Sequence, residues 1–140
     1  SEIGTWEFEI STKEWYPRSS KVIPDSDFEL MHTSGNAYLF AISQADSIDK
    51  SMLEFAAIEK FNNALANAKL LRRTDETIKN ANFMRIAFTG FEGDKEVVYD
   101  GVFYTGKQGT LQIFIRAEKQ FYDQNTEFIT QTFQQIYLKQ

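Results

Sequence analysis

Residues 96–116 read EVVYDGVFYTGKQGTLQIFIR. Two apolar runs flank the turn signal from Gly106 to Gly109, which predicts a β-hairpin of Glu96 to Thr105 and Thr110 to Arg116. Successive strand residues point to opposite faces, yet this hairpin is apolar on both. Val97, Tyr99 and Phe103 fall on one side and Val98, Val102 and Tyr104 on the other, with Leu111, Ile113 and Ile115 in the returning strand. A sheet with two greasy faces has to be covered twice.

Two helix-period stretches supply the covers. From about Asp49, Leu53, Ala57, Phe61, Ala64 and Ala68 form one stripe, joined by Ile58 and Leu65. Asp49 or Ser47 is placed to cap this helix and Ile48 to staple it, and the stripe predicts an end near Leu70. At the end of the chain Phe128, Ile129, Phe133, Ile136 and Tyr137 recur at helical spacing after Asp123 or Asn125.

The remaining segments read as strands and turns. Trp6, Phe8 and Ile10 alternate with Glu7 and Glu9, and an irregular loop from Lys13 to Pro24 follows. Phe28, Leu30 and His32 alternate with Glu29, Met31 and Thr33, Gly35 and Asn36 turn the chain, and Ala37 to Ser43 is apolar on both faces. Leu71 to Ile78 has the polar character of an edge strand. Met84, Ile86 and Phe88 alternate with Phe83, Arg85 and Ala87, and Gly90, Gly93 and Asp94 mark a reversal. The predicted order is βββαββββα. Short turns between most strands favour antiparallel pairing, so the expected fold is α+β: one mainly antiparallel twisted sheet with a helix on each face, an α/β/α sandwich. Residues 1–140 form a single domain in this reading, with no repeat or linker.

Composition narrows the function classes. The chain has no cysteine, which removes thiolate chemistry and disulfides. Its net charge is −5, and eleven of its 20 acids but six of its 15 bases lie in residues 1–70. Nucleic acid is a poor partner for that distribution. No apolar run approaches the roughly 20 residues that span a bilayer, so direct membrane insertion is not expected. The chain opens on Ser1 rather than Met, the start expected of a processed or excised domain. No phosphate-cradling glycine motif occurs, and no cofactor is implied.

Five constellations merit weighing. His32 is the sole histidine; it is the one imidazole available for acid–base work, but its alternation with Phe28 and Leu30 favours a core or rim role. Asp25, Asp27 and Glu29 put carboxylates at alternate positions, as a calcium site would, although a solvated strand face is favoured. Glu7 and Glu9 share a strand face, again read as solvated rather than as an acid–base pair. Trp15, Tyr16 and Arg18 on a loop have the chemistry of a protein-binding anchor, with the adjoining Glu7 and Glu9 as an acidic flank; the plainer account is that Trp15 plugs the end of the sheet. Arg72, Arg73 and Arg116 would form an anion patch if their strands lie together, whereas pairing with Asp75 or Glu118 is the simpler arrangement.

The element order, the Trp-containing first segment, the strand ending Tyr38 to Ser43, the helix opening Ser51-Met52-Leu53-Glu54-Phe55-Ala56, and the passage from Asp100-Gly101-Val102-Phe103-Tyr104 to a terminal helix with Phe133 together resemble the PsbP/Mog-type superfamily. The resemblance implies an α/β/α sandwich serving as a non-catalytic binding or accessory module with a protein partner. Extrinsic photosystem subunits, a binding partner of the Ran GTPase and bacterial exported or membrane-anchored proteins have this form, which inclines localisation to the extracytoplasmic side. The alternative from the residues is a small-ligand binder or enzyme using a sheet–helix cleft near His32.

Overall fold

A computed structural model describes residues 2–3, 6–18, 23 and 26–138. The chain runs β1 (Glu2–Ile3), β2 (Trp6–Phe8), β3 (Trp15–Pro17), β4 (Phe28–His32), β5 (Ala37–Gln44), α1 (Lys50–Ala64), β6 (Ala66–Ile78), β7 (Ala81–Glu92), β8 (Lys95–Gly106), β9 (Gly109–Glu118), α2 (Lys119–Gln124), α3 (Thr126–Phe133) and β10 (Ile136–Leu138). The main sheet has seven strands among the described residues, in the order β3-β4-β5-β9-β8-β7-β6, each pair antiparallel. A small second sheet, β1-β2-β10, has its own hydrogen-bonded ladder.

The two-faced hairpin dictates two cores. On one face Phe40, Ile42, Met84, Ile86, Val97, Phe103 and Phe114 meet Leu53, Ala57 and Phe61 of α1. On the other, Leu39, Val98, Val102, Ile113 and Ile115 meet Ile129 and Phe133 of α3 and Tyr122 of α2. The small sheet completes this second roof, because Trp6, Phe8 and Ile136 enter the same core. The expected α/β/α sandwich is therefore present, with one roof part helix and part strand.

Three boundaries differ from the sequence reading. First, α1 ends at Ala64, not near Leu70, and Leu65 is already extended at φ −125°, ψ 142°. The chain crosses β7 closely there: a Cβ on Gly90 would stand 2.7 Å from the Leu65 Cβ and 2.9 Å from the Ala66 carbonyl oxygen. Glycine permits this approach, and the buried Leu65 continued the helical spacing without belonging to the helix. Second, the terminal helix is broken at Asn125 (φ −134°, ψ 28°) into α2 and α3. Ile136 and Tyr137 then leave the helix to pair with β2, with Ile136 opposite Phe8 and Tyr137 opposite Glu7. Third, the segment around Trp15 is an edge strand rather than a loop, with Trp15 opposite His32 and Tyr16 opposite Met31. Asp49 does occupy the N-cap of α1, but its side chain makes no capping hydrogen bond.

Candidate functional site

Strand alternation divides the aromatic–arginine segment. Trp15 turns inward and is 3% exposed, its ring stacked on Phe128 of α3 at 6.2 Å. Tyr16, 39% exposed, points to the α1 side. Arg18 lies 3.9 Å from Glu29 and 4.6 Å above the ring of Tyr38. Arg116 approaches the same ring from the neighbouring strand at 5.7 Å and is hydrogen-bonded to Glu92. It has no company from Arg72 and Arg73, which sit on the far edge strand. There Arg73 is bonded to Glu54 at 2.8 Å and Asp75 at 3.0 Å, and the register places Arg72 and Arg73 on opposite faces.

The carboxylates also separate. Asp25 lies outside the described residues. Glu29 is 4% exposed, so the solvated-face expectation fails for it. It accepts hydrogen bonds from the Ile23 N–H at 2.7 Å and the Ser26 hydroxyl at 2.9 Å. Asp27 accepts from the Ser43 N–H at 2.5 Å. Among the described residues no cluster of His, Cys, Asp and Glu has the arrangement of a metal site.

Glu7 lies in the central strand of the small sheet and Glu9 just beyond its end. The Tyr137 hydroxyl donates to Glu9 at 3.1 Å, and hydrogen bonding to Glu7 first, with partial desolvation and Glu9 behind it, pushes that phenol up to about 12. Glu9 also lines a cleft of about 230 Å³ with Glu14, Trp15, Phe128, Gln131 and Gln135. Two carboxylates thus share a recess with two aromatic rings, a combination that suits a cationic side chain.

His32 stands behind this cleft. Its ring packs edge-on against Trp15 (5.3 Å), Phe121 (4.9 Å) and Phe128 (5.6 Å), and Nδ1 accepts from the Ser34 N–H at 3.1 Å. It braces Trp15 and α3. Desolvation holds its pKa below the ordinary 6.5, against the raising field of Glu14. The unfolded chain then binds the proton more readily than the native one, so His32 contributes a loss of stability as pH falls from about 7 toward 5. With a single histidine in the chain, His32→Gln is expected to flatten that stretch of the stability–pH curve. An imidazole NMR titration with a midpoint at or above 6.5 would contradict this account.

The site that sequence reasoning missed is a buried ion pair under α2 and α3. Arg85 on β7 is 2% exposed and Asp100 on β8 is 0% exposed. The guanidinium donates to both carboxylate oxygens, Nε to Oδ1 at 3.0 Å and Nη2 to Oδ2 at 2.7 Å. The Tyr122 hydroxyl donates to Oδ2 at 2.8 Å, and Arg85 Nη1 donates to Thr130 Oγ1 at 2.8 Å. The network ties both helices to the sheet. Burial alone would pull Arg85 down, but the bonds and charge of Asp100, helped by Glu76, leave it displaced upward; burial and then Asp100 push the Tyr122 phenol up. A signal was present: Arg85 falls between Phe83 and Ala87, and Asp100 between Val98 and Val102, each a lone charge on an apolar row.

Apolar groups also remain in solvent. On the outer crest of α1, Met52 is 61% and Phe55 66% exposed, one helical turn apart. Leu70 and Leu71 are exposed where β6 bulges between Leu70 and Arg72.

These features define a helix-roofed antiparallel sandwich whose polar centre fastens its own helices and whose surface carries recesses and apolar groups. The fold is the PsbP/Mog-type fold. The structure is similar to the Ran-binding protein Mog1p of Saccharomyces cerevisiae (TM-score 0.65, 10% identity, covering 96% of this chain and 90% of that one). It is also similar to the cyanobacterial PsbP, CyanoP, of Synechocystis sp. PCC 6803 (0.64, 13%, 98% and 94%). A third is a protein of unknown function from Pseudomonas aeruginosa (0.61, 9%, 100% and 87%). No family model and no curated protein matches the sequence. Among the described residues no helix is long and apolar enough to cross a membrane.

Proposed function

We propose that this domain is a non-catalytic accessory module that docks a protein partner, and that the cleft between the β2–β3 connection and α3 receives a basic side chain of that partner. The observation carrying this reading is the pairing of Glu9 and Glu14 in one recess with the rings of Trp15 and Phe128. Glu7 extends the acidic flank, whereas exposed Tyr16 and the anchored Arg18 lie on the opposite, α1 side of the sheet and take no part in the cleft. A cationic group entering there would gain Coulomb attraction and contact with the part-exposed ring of Phe128. The Ran-binding neighbour gives precedent for this fold in protein recognition.

A second docking surface is favoured by one observation, the exposure of Met52 and Phe55 on the crest of α1. Affinity capture with three chains separates the two: wild type, Glu9→Lys/Glu14→Lys, and Met52→Ser/Phe55→Ser. The cleft reading expects the charge-reversed chain to lose its partner by tenfold or more and to show a weaker salt dependence, while the crest variant keeps it. Equal yields from wild type and the charge-reversed chain would remove the cleft, and selective loss in the crest variant would move the docking surface to α1.

A further inference from the structure

A second recess lies at the end of the main sheet, where the β6–β7 turn, the last residues of β8 and the first residue of α1 enclose a cavity of about 430 Å³. This is within the range of small-ligand sites, roughly 300–1,000 Å³. Trp6, Met84 and Phe103, each 2% exposed or less, lie under its floor, and the part-exposed Ala81 and Tyr104 give it an apolar wall. Polar groups enter from Lys50, Lys79, Asn80, Asn82 and Gln108, and among the described residues not one that lines it is acidic. In a chain of net charge −5, this cavity has the opposite local sign.

Neither lysine is firmly committed elsewhere. Lys50 reaches Asp75 only at 3.6 Å, with both side chains more than 60% exposed, a contact of little strength. Among the described residues Lys79 makes no ion pair. The backbone of Lys79 is left-handed, at φ +56°, in the two-residue turn between β6 and β7. That position favours glycine, and a residue with a Cβ there is strained. Thr105, another wall residue, accepts from the Ile48 N–H at 3.0 Å and donates to the Ile48 carbonyl at 2.7 Å, which fixes the start of α1 against β8. The indole of Trp6 packs edge-on to Tyr104 at 4.9 Å, and among the described residues its buried Nε1–H finds no hydrogen-bond acceptor. Buried donors are rarely left so.

We infer that this cavity binds a small organic acid with a flat apolar body, its anionic head between Lys50 and Lys79 and its body against the part-exposed ring of Tyr104, on which Trp6 packs from below. The site is separate from the acidic cleft and would survive the failure of the docking reading. It takes an anion; the cleft suits a cation.

The test uses two probes of nearly the same shape on the folded chain, the anionic 8-anilinonaphthalene-1-sulfonate and the neutral N-phenyl-1-naphthylamine. The sulfonate is expected to bind at one site, to shift the indole N–H resonance of Trp6, and to bind at least tenfold more tightly than the neutral amine. Lys79→Gln, which removes the charge and keeps a side chain in the turn, is expected to weaken sulfonate binding about tenfold. Lys79→Gly is expected to weaken it equally while melting at the same or a higher temperature, because glycine relieves the turn. Equal affinity for the two probes, unchanged affinity in both Lys79 variants, or resonance shifts confined to residues away from Trp6 and Tyr104 would each overturn the assignment.

Discussion

Asp100→Ala is expected to lower the unfolding free energy by about 3–5 kcal/mol, read from urea denaturation at pH 7. Asp100 and Arg85 are both sealed from solvent and answer each other through two hydrogen bonds. Removing the carboxylate strands a guanidinium in a low-dielectric interior and deprives the Tyr122 hydroxyl of its acceptor. The nearest remaining acid, Glu76, is 3.9 Å away and 30% exposed, too far and too wet to replace it. The double variant Arg85→Met/Asp100→Leu removes both charges, so it is expected to be more stable than Asp100→Ala despite carrying more substitutions. Hydrogen exchange in α2 should quicken in the single variant, because Tyr122 loses its acceptor, and α3 should follow, because the Arg85 that holds Thr130 loses the carboxylate that fixes it. A double variant as unstable as the sum of its singles would show that the charges do not act as a pair.

Phe61→Ala is expected to cost a similar amount, about 3–5 kcal/mol, through the opposite face. Phe61 is fully buried beneath α1 and meets the rings of Phe88, Tyr99, Phe103 and Phe114 at centroid distances of 5.3 to 6.4 Å. No single neighbour can move into the space of a phenyl ring shared by four others, so the cavity would persist. Amide exchange is expected to rise in α1 and along β8 while α3 keeps its protection. A loss below about 1 kcal/mol would mean that the helix is not what seals this face.

The two variants probe parts of the molecule that were unequally visible. Phe61 was legible: Leu53, Ala57 and Phe61 recur at 3.6-residue spacing, and the two-faced strands required such a roof. The Arg85–Asp100 pair was not read, because its partners are 15 residues apart on different strands and only the register brings Arg85 beside Val102 and Asp100 beside Ala87. Ile136 and Tyr137 show the reverse difficulty. Their spacing extends the terminal helix, and Ile136 is indeed buried with Ile129 and Phe133, but in a strand. Periodicity records which residues face the core without recording how the backbone carries them there.

The candidate surfaces follow the same division. A tryptophan, a tyrosine and an arginine close together in sequence were readable as a group, and an acidic first strand was readable beside them. A strand conformation parts Trp15 from Tyr16, and Phe128 joins Glu9 and Glu14 in one recess only because α3 returns across the β2–β3 connection. Local alternation and helical period, written in residue order, determined that this chain builds an antiparallel layer with two greasy faces and supplies a cover for each. Strand order, the exchange of a final helical turn for β10, the buried charge pair and both recesses were decided by tertiary contacts, since each depends on residues far apart in the chain whose juxtaposition no local pattern encodes.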